Sequence, residues 1–541
     1  MDKIFLKKLE NLYKNKKFSE LKFEIESLSN KDKENTFILN LLGILEIFEK
    51  NFIKARFFLE KALKKDQYHI HSLLNLCKIS LVDKNYENII YYLKKYYEKN
   101  QSNNDVLLNL ANLTFAAGYI EDTIFYHEKL IDSKNFKLED LTALIFLQNY
   151  SLEYTDNKYK KYCDLYNKII SKSSNIFNFV KEDRDKLRIG FLSKDLREHP
   201  VGYFLKDFLN ELKKKNFFII AFNLNVSVNI QNTFTSDLKK CFSEWNDVGD
   251  KSDIDICNLI KEKKIYYLFD LGGYNTGNRL QIFKNKPAPV QISWLGYCNS
   301  THIKEIDYII TDPFILNEEV KEFYSEKILE MPNIWNALSI LPEEEINELP
   351  AIKNGYITFG SFNNFLKISD DVIKTWETIL DNVSNSRLIL KSNQGVDINF
   401  KNYLINKFNR KNINLSFLDV KKDMSEHLKD YNKIDISLDT FPYNGVTTSF
   451  ESIWMGVPVL TIIGRNFISR CGYSINKNLG LEQFIADDIK DYISKAKSIS
   501  DIKNLNNLKK LRVSLRKKAL SSPLFDCSLF ANDFSKLLKE I

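Results

Sequence analysis

The sequence predicts an all-α repeat array followed by two α/β lobes. The N-terminal quarter of the 541-residue chain is self-similar at an offset of 34 residues. From about Lys186, short apolar runs bounded by turn residues alternate with helical patterns, as expected for βα units that build parallel sheets. We therefore predict repeats over residues 1–135, a helical linker over 136–185, a first lobe over 186–345 and a second lobe over 346–541.

The repeat is a 34-residue helix–turn–helix unit. Small residues recur in one column of the array, and large residues recur in another, each after a short polar turn. The small-residue column is Gly43, Cys77 and Ala111, and the large-residue column is Phe52, Tyr86 and Ile120. Small side chains suit places where paired helices approach closely, and the unit resembles the tetratricopeptide repeat. Generic amphipathic helices are the alternative.

A stacked array of this kind leaves a concave groove for partners. Asn75 and Asn109 are one repeat apart, in a column expected to face that groove. A side-chain amide both donates and accepts, so it can hold a peptide backbone, and we predict that these two residues bind a polypeptide partner in the groove. Asn is frequent in this chain, so coincidence is the alternative.

Composition excludes several classes of function. The 78 basic and 71 acidic residues give a net charge of only +7, which does not predict a nucleic-acid partner. The first residues resemble no signal peptide, and no apolar run is long enough to span a membrane. The seven cysteines have no metal-site spacing and are expected to be reduced. We expect a cytoplasmic protein.

The predicted strands place a ligand cleft between the two lobes. In the first lobe we expect strands at 187–192, 217–222, 267–270 and 290–294, and in the second at 356–359, 387–390, 434–438 and 457–461. Ligands of doubly wound sheets bind at the carboxyl ends of strands. The chain contains neither GxGxxG nor GxxxxGKS/T, so dinucleotide and P-loop ATP sites are not supported.

The segment after the strand at 434–438 is suited to a diphosphate. Pro442 and Gly445 shape a turn, and a helix is predicted to begin near Thr448. A helix N-terminus attracts anions, Thr447 and Thr448 add hydroxyl donors, and Glu451 can accept from ribose hydroxyls. A capping box formed by Thr448 and Glu451 is the alternative.

Three further residues are candidates for the cleft. Lys367 follows the strand at 356–359 and can neutralise phosphate, although a solvated surface lysine is the alternative. His427 precedes the same sheet and is either a nucleotide contact or a surface residue. His199 follows the first strand, and Pro200 forces it into an extended conformation. Its imidazole can act as a base or donor, or bond to the backbone of a turn.

Taken together, these segments resemble the O-linked N-acetylglucosamine transferase family, glycosyltransferase family 41. The resemblance covers residues 186–500, and the repeat arm agrees with it. It is carried by the order and spacing of the stretches 193–200, 270–279, 287–297, 307–312, 362–367 and 438–456. The family implies a two-lobed GT-B fold, a UDP-sugar donor, no metal and inversion at the anomeric carbon.

The resemblance also implies roles for individual residues. The lysine that contacts the diphosphate is Lys367, and the neighbouring amide donor is Asn364. The histidine that contacts the nucleotide is His427, the paired threonines are Thr447 and Thr448, and the ribose carboxylate is Glu451, where the family usually has Asp. The active-site histidine of the first lobe, often proposed as the base, is His199.

The sequence departs from the family pattern at three places, and the last of them concerns the identity of the sugar. Val446 and Tyr266 stand where animal members have histidine, and the loop Cys298–His302 differs from the usual Pro-Gly-Thr-Ser/Thr-Gly. We predict an inverting, metal-independent transferase that moves a sugar, N-acetylglucosamine by resemblance, from UDP to Ser or Thr of a protein. Composition like that of AT-rich bacteria suggests flagellin or another surface protein as acceptor. An Asn-linked glucosyltransferase and a non-catalytic repeat scaffold are the alternatives.

Overall fold

A computed structural model describes residues 3–170, 187–225, 233–277, 279–392, 398–408, 414–421 and 423–541. The chain forms two compact units. The first comprises Met1–Phe136 and Asp397–Asn406, and the second comprises Lys137–Val396 and Lys407–Ile541. Residues 171–185 of the predicted linker lie outside the described residues.

The first unit consists of helices in its described N-terminal part. They are α1 (Lys3–Lys14), α2 (Phe18–Glu26), α3 (Asn30–Lys33), α4 (Thr36–Phe48), α5 (Phe52–Lys65), α6 (Ile70–Asp83), α7 (Glu87–Lys99), α8 (Asn104–Ala116) and α9 (Ile120–Asp132). The first helices of successive pairs, α4, α6 and α8, begin at residues 36, 70 and 104 and therefore keep the 34-residue period. The predicted helical repeat region is confirmed.

The small-residue column lies where the helices of a pair touch. A Cβ atom on Gly43 would be 2.5 Å from Cγ of Leu59, which is closer than van der Waals contact allows. Cys77 and Ala111, at the same position in the next two repeats, are fully buried. Close approach of paired helices therefore explains why this column excludes large side chains.

A helix from the second half of the sequence completes the first unit. Tyr403, on the helix Ile398–Lys407, is buried, and its hydroxyl donates to the carbonyl of Ala117. Its ring lies edge-on to that of Tyr86, with centroids 5.6 Å apart. The repeat array is thus packed against a segment that is more than 260 residues away in sequence.

The second unit contains two parallel sheets. Its first part has α10 (Leu138–Gln148), α11 (Asp156–Ile170), β1 (Leu187–Ser193), α12 (Pro200–Lys213), β2 (Phe217–Asn223), α13 (Thr233–Cys241), β3 (Glu244–Asp247), α14 (Asp253–Glu262), β4 (Tyr267–Asp270), α15 (Leu280–Lys284), β5 (Val290–Ser293), β6 (Tyr308–Thr311), α16 (Glu318–Lys321) and β7 (Lys327–Glu330).

The second part continues through α17 (Pro350–Asn354), β8 (Thr358–Ser361), α18 (Asp370–Asn382), β9 (Arg387–Lys391), α19 (Ile398–Lys407, the helix of the first unit), β10 (Leu415–Leu418), α20 (Met424–Lys429), β11 (Ile436–Leu438), α21 (Thr447–Trp454), β12 (Val459–Ile462), α22 (Cys471–Asn478), β13 (Ile485–Ala486), α23 (Ile489–Ile499), α24 (Leu505–Leu520) and α25 (Cys527–Lys539). The fold class predicted from sequence is confirmed.

Strand order fixes where a ligand can bind. Over the described residues, the first sheet has the order β3-β2-β1-β4-β5-β6-β7 and the second β10-β9-β8-β11-β12-β13, with parallel neighbours. The chain reverses its direction of travel across the sheet between β1 and β4, and again between β8 and β11. Open parallel sheets bind ligands at such switch points, at the carboxyl ends of the strands.

The last helix returns to the first lobe, although the sequence placed the whole of 346–541 in the second. In α25, Phe534 packs against Phe208 of α12 and Phe269 of β4, with ring centroids 4.9 and 5.4 Å apart. All three rings are buried. The apolar face of α25 is therefore covered by the first lobe, a pairing that no local pattern specifies.

Candidate active site

A cavity of about 500 Å³ lies in the second unit, between the two lobes. Its walls come from the loops that follow β1, β4, β8 and β11, which are the strands at the two switch points. Five of the residues predicted from sequence line it: His199, Asn364, Lys367, Thr447 and Thr448. The fold therefore brings together, at one cavity, residues that are far apart in the sequence.

Lys367 provides the positive charge of the second-lobe wall. It ends a short 3₁₀ helix after β8, and its Nζ donates to the carbonyl of Asn444 at 2.8 Å and lies 4.3 Å from the ring centroid of Tyr443. Among the described residues, no carboxylate lies within ion-pair distance of it, and the buried Asp439 is the carboxylate that interacts with its charge from further away. Burial lowers the pKa of Lys367 to about 8. A half-buried ammonium group that no carboxylate contacts is suited to bind an anion.

The helix α21 begins at Thr447, one residue before the predicted start. Val446 occupies the N-cap and makes no side-chain cap. Oγ1 of Thr448 donates to Oδ1 of Asn363 at 3.0 Å. The capping box between Thr448 and Glu451 does not form, because Thr448 lies inside the first turn and Glu451 has other partners. The helix N-terminus and its two hydroxyls thus face the cavity.

Asp439 holds the loop that leads into this helix, a role that the sequence did not reveal. Its carboxylate is 1% exposed and accepts from the backbone N–H of Thr440 at 2.9 Å, that of Gly445 at 2.7 Å and Oγ1 of Thr461 at 2.8 Å. Burial raises its pKa to about 6. A Cβ on Gly445 would lie 2.5 Å from Oγ1 of Thr448, so only glycine fits there.

The two adjacent asparagines after β8 have different roles. Asn364 is exposed, and its Oδ1 accepts from the backbone N–H of Leu366 at 3.0 Å, which caps the 3₁₀ helix. Asn363 is buried and accepts the bond from Thr448. Both line the cavity. The resemblance assigned the amide donor to Asn364 alone, whereas the contact between the two strand ends is made by Asn363.

His427 and Glu451 lie beside the cavity wall and not on it. Nε2 of His427 is 3.1 Å from Oε2 of Glu451, and the hydroxyl of Tyr431 donates to the same oxygen at 3.0 Å. Nζ of Lys391 lies 2.9 Å from Nδ1 of His427 and is paired with Asp430 at 2.7 Å.

This network fixes the tautomer of His427. The Lys391 ammonium group can only donate, so Nδ1 of His427 accepts and its proton lies on Nε2. The Nε2–H group then donates to Glu451, which orients the carboxylate that we predict to bind ribose.

His199 is the N-cap residue of α12. Its backbone is extended, as Pro200 predicts, and Nδ1 accepts from the backbone N–H of Val201 at 3.3 Å. Nε2 lies 3.9 Å from Oδ1 of Asp195. Burial lowers the pKa of His199, which favours the neutral ring. Because Nδ1 accepts a hydrogen bond, the neutral ring carries its proton on Nε2 and offers the cavity a donor.

Of the three departures from the family pattern, two reach the cavity. Val446 and Cys298 line it, whereas Tyr266 does not. The rest of the altered loop is structural, since Oγ1 and the backbone N–H of Thr301 both donate to Oε1 of Glu326, at 2.6 and 2.7 Å. Among the altered loop residues, Cys298 is thus the contact available to a ligand.

Sequence reasoning missed two other parts of the wall. Phe146 of α10 and Tyr150, which follows that helix, belong to the predicted linker and line the cavity. The Tyr150 ring is tilted by 39° against that of Tyr443, with centroids 4.5 Å apart. Trp335 and Asn336, which follow β7, also line it. No motif marks these residues, because what makes them relevant is their position in the fold.

The predicted acceptor residues lie in the first unit. Asn75 is buried, and its Nδ2 donates to Oδ1 of Asn40 at 3.1 Å. Nδ2 of Asn109 donates to the carbonyl of Asp105 at 2.7 Å. Each amide therefore has a partner within the array. Their role in acceptor binding stays a prediction.

Within the described residues, no three His, Cys, Asp or Glu side chains come together as metal ligands would. No helix in the described part of the chain is both long and apolar enough to cross a membrane.

Two parallel sheets with a shared cavity at their switch points define the GT-B class of fold. The chain aligns with a mutant of the O-GlcNAc transferase of Thermobaculum terrenum at a TM-score of 0.74, covering 95% of this chain and 99% of that one. At 23% sequence identity, this similarity shows the fold alone.

The sequence identifies the family. The model of glycosyl transferase family 41 matches residues 148–337 and 345–534, and the chain belongs to that family. The probable UDP-N-acetylglucosamine–peptide N-acetylglucosaminyltransferase SPINDLY of Solanum lycopersicum is 31% identical over 420 residues, which are 76% of this chain and 44% of that protein. The protein of the same name from Eustoma exaltatum subsp. russellianum is 33% identical over 359 residues, 65% of this chain and 38% of that one. The chain thus spans less than half the length of these relatives.

Proposed function

We propose that the chain transfers a sugar from a UDP donor to Ser or Thr of a protein, in the cytoplasm, with inversion and without a metal. The observation that carries the proposal is Lys367, a half-buried cation that lines the same cavity as the N-terminus of α21 and that no carboxylate contacts among the described residues. Family membership supports it, as do the names of the plant relatives, which describe transfer of N-acetylglucosamine from UDP to peptide.

The transfer needs a stabilised leaving group. The acceptor hydroxyl attacks the anomeric carbon, the bond from that carbon to the diphosphate oxygen breaks, and its electron pair stays on the diphosphate. Lys367, Thr447, Thr448 and the N-terminus of α21 supply the hydrogen bonds and positive charge that a metal supplies in other transferases. The hydroxyl of Thr448 has a single proton, so it donates to the diphosphate by giving up its bond to Asn363. The fixed Glu451 holds the ribose of the donor.

His199 acts on the side of the first lobe. In its neutral form it presents Nε2–H, so it orients the acceptor hydroxyl or a water molecule that takes the proton. To accept the proton itself at Nε2, the neutral ring must first carry its own proton on Nδ1 instead of Nε2, which breaks the hydrogen bond from Val201. The first role requires no such change, and we propose it for the ground state.

In this proposal, the helical repeats of the first compact unit select the protein acceptor. Stacked helix pairs present an extended surface, which suits a polypeptide better than a small molecule. Asn75 and Asn109 are the candidate contacts. Flagellin or another surface protein is the proposed acceptor if the source is bacterial.

One observation favours a second candidate. Cys298 lines the cavity where the family usually has another residue, so the chain can differ in its sugar and its acceptor side chain. An Asn-linked glucosyltransferase is therefore kept as the alternative. A scaffold without activity has less support, because Lys367, Thr447, Thr448 and His199 all line the same cavity.

The test is a donor panel. Purified full-length chain is incubated with UDP-N-acetylglucosamine, UDP-glucose, UDP-galactose and a GDP-sugar, with candidate proteins and with EDTA. We expect release of UDP that depends on the protein and survives EDTA, with mass spectrometry locating the sugar on Ser or Thr. Glucose on Asn would favour the alternative. An absolute need for Mn²⁺, or turnover of the GDP-sugar only, would contradict the proposed donor site.

A further inference from the structure

The floor of the cavity contains a side-chain amide without a partner. Asn336 lines the cavity and is 0% exposed, and within the described part of the chain neither its Oδ1 nor its Nδ2 has a hydrogen-bond partner. Trp335, the preceding residue, also lines the cavity and is 2% exposed. Its Nε1–H has no partner among the described residues either. Three polar atoms on two adjacent residues are thus unpaired.

Unpaired buried polar groups are costly. Leaving one buried donor or acceptor unsatisfied costs roughly 1–3 kcal/mol, and folded proteins contain few of them. The backbone around these residues is, by contrast, well bonded. The N–H of Trp335 donates to Asp312 at 3.0 Å, and its carbonyl accepts from Nε1 of Trp294 at 2.9 Å. The segment is firmly held, so its free side-chain groups are fixed in place and do not simply result from a loose loop.

The position of Asn336 relates it to the proposed diphosphate site. The Trp335 ring is edge-on to that of Phe467, with centroids 5.0 Å apart. The carbonyl of Ile468, the next residue, accepts from the backbone N–H of Asn444 at 3.3 Å, and the carbonyl of Asn444 accepts from Lys367. Trp335 is thus linked to Lys367 through Phe467, Ile468 and Asn444, and Trp335, Asn336 and Lys367 line the same cavity.

The chemistry of the three groups selects their ligand. An amide offers N–H donors and one acceptor oxygen, and an indole N–H only donates. A phosphate or carboxylate has no proton to give to Oδ1 of Asn336, so it does not satisfy the set. A hydroxyl both donates and accepts, and several neighbouring hydroxyls match the amide and the indole together.

Burial distinguishes a small ligand from a protein segment. Arg197, on the first-lobe rim, keeps 37% of its side chain exposed, whereas Trp335 and Asn336 are closed off from bulk water. A protein acceptor reaches the rim first, and only a compact group reaches the floor.

We infer that Asn336 and Trp335 form the subsite that binds the hydroxyl groups of the sugar carried by the nucleotide donor. The inference rests on the proposed function, because it takes the donor to be a nucleotide sugar. It adds two residues that determine which sugar is accepted.

Asn336→Leu tests the subsite. The substitution keeps the number and branching of the side-chain heavy atoms and removes both polar atoms, so Tm without ligand should stay unchanged or rise. By calorimetry, the affinity for UDP should stay within about twofold, and the affinity for UDP-N-acetylglucosamine should fall about tenfold or more, as expected when one or two hydrogen bonds are lost. Trp335→Phe keeps the ring contact with Phe467 and should weaken the same ligand less.

The matched control is Asn285→Leu. Asn285 is equally buried, but its Nδ2 donates to the carbonyl of Gln281 at 2.9 Å. This variant should lower Tm and leave both affinities unchanged. If Asn336→Leu lowers Tm as much as the control, the amide has a structural partner and the inference is wrong.

The remaining outcomes separate the inference from the proposed function. Equal binding of UDP-N-acetylglucosamine by wild type and by both cavity variants overturns the subsite and leaves the transferase proposal intact. A higher KM for the protein acceptor in the cavity variants, with unchanged donor affinity, would assign Asn336 and Trp335 to acceptor binding and would also overturn the inference. If the wild type binds neither UDP nor UDP-N-acetylglucosamine, the proposed function fails, and the inference fails with it.

Discussion

Replacing Lys367 by Met should remove most of the catalytic activity and little of the stability. The Nζ group makes one hydrogen bond, to the carbonyl of Asn444, and its charge is not paired with a carboxylate among the described residues. Losing one neutral-acceptor hydrogen bond to a charged donor costs at most a few kcal/mol, and Met keeps the apolar contact with Tyr443. The fold should therefore survive.

The effect on the rate follows from where the charge lies. A charge-assisted hydrogen bond contributes roughly 1.5–3 kcal/mol, and each ~1.4 kcal/mol is a factor of ten in rate. The negative charge on the diphosphate grows as the bond to the sugar breaks, and the half-buried site screens it less than water does. We expect Lys367→Met to slow transfer by about two orders of magnitude or more.

The assay is UDP release with a protein acceptor, with mass spectrometry of the product and a thermal unfolding curve for each variant. Lys374→Met is the control, because Lys374 is an exposed lysine on α18 that does not line the cavity. It should keep full activity. Near-normal turnover in folded Lys367→Met would show that the diphosphate binds elsewhere and would refute the assignment of the cavity.

Three further predictions concern pH, the tautomer network and the repeat unit. Burial holds the pKa of free Lys367 at about 8, and a bound diphosphate favours its charged form. UDP should therefore bind best below pH 8, and its affinity should fall by up to about tenfold per pH unit above that. An affinity for UDP that is equally independent of pH in wild type and Lys367→Met would contradict this. In Lys391→Met, His427 should no longer be held in one tautomer, which ¹⁵N NMR of the ring would detect, and the KM for the donor should rise about tenfold. The control Lys433→Met removes the other lysine partner of Asp430 and should change neither. An unchanged ring spectrum in Lys391→Met would refute the network. Deleting residues 1–135 uncovers Tyr403, so the truncated chain should also carry Tyr403→Ser. This variant should keep its affinity for UDP, and transfer to whole proteins should fall more than transfer to short peptides. Equal losses of both activities would mean that the repeat array has only a structural role.

Much of the architecture was predictable because it depends on short-range periodicity. A 34-residue period marks the repeats, and apolar runs between turn residues mark the longer strands. The strands β3, β6, β7, β10 and β13, each of four residues or fewer, were not among those predicted.

The candidate site was predictable to the extent that strand ends are recognisable. Lys367, Thr447 and His199 each follow a strand, and the carboxyl ends of parallel strands at a switch point lie together. His427 and Glu451 were identified by resemblance, and the structure places them next to the cavity wall as a hydrogen-bonded pair. Here the sequence indicated which residues matter and did not indicate how they are connected.

The sequence by itself determined the order of the elements and the chemical groups available at the strand ends. Only the tertiary structure decided which of those groups meet. The bond between Asn363 and Thr448 spans 85 positions, and the return of α25 to the first lobe spans the whole of the second. The paired state of Asn364 and the unpaired state of Asn336 are likewise invisible in the sequence. The physical reason is that local patterns report burial and backbone geometry, whereas a hydrogen-bond partner depends on which distant segment packs against that position.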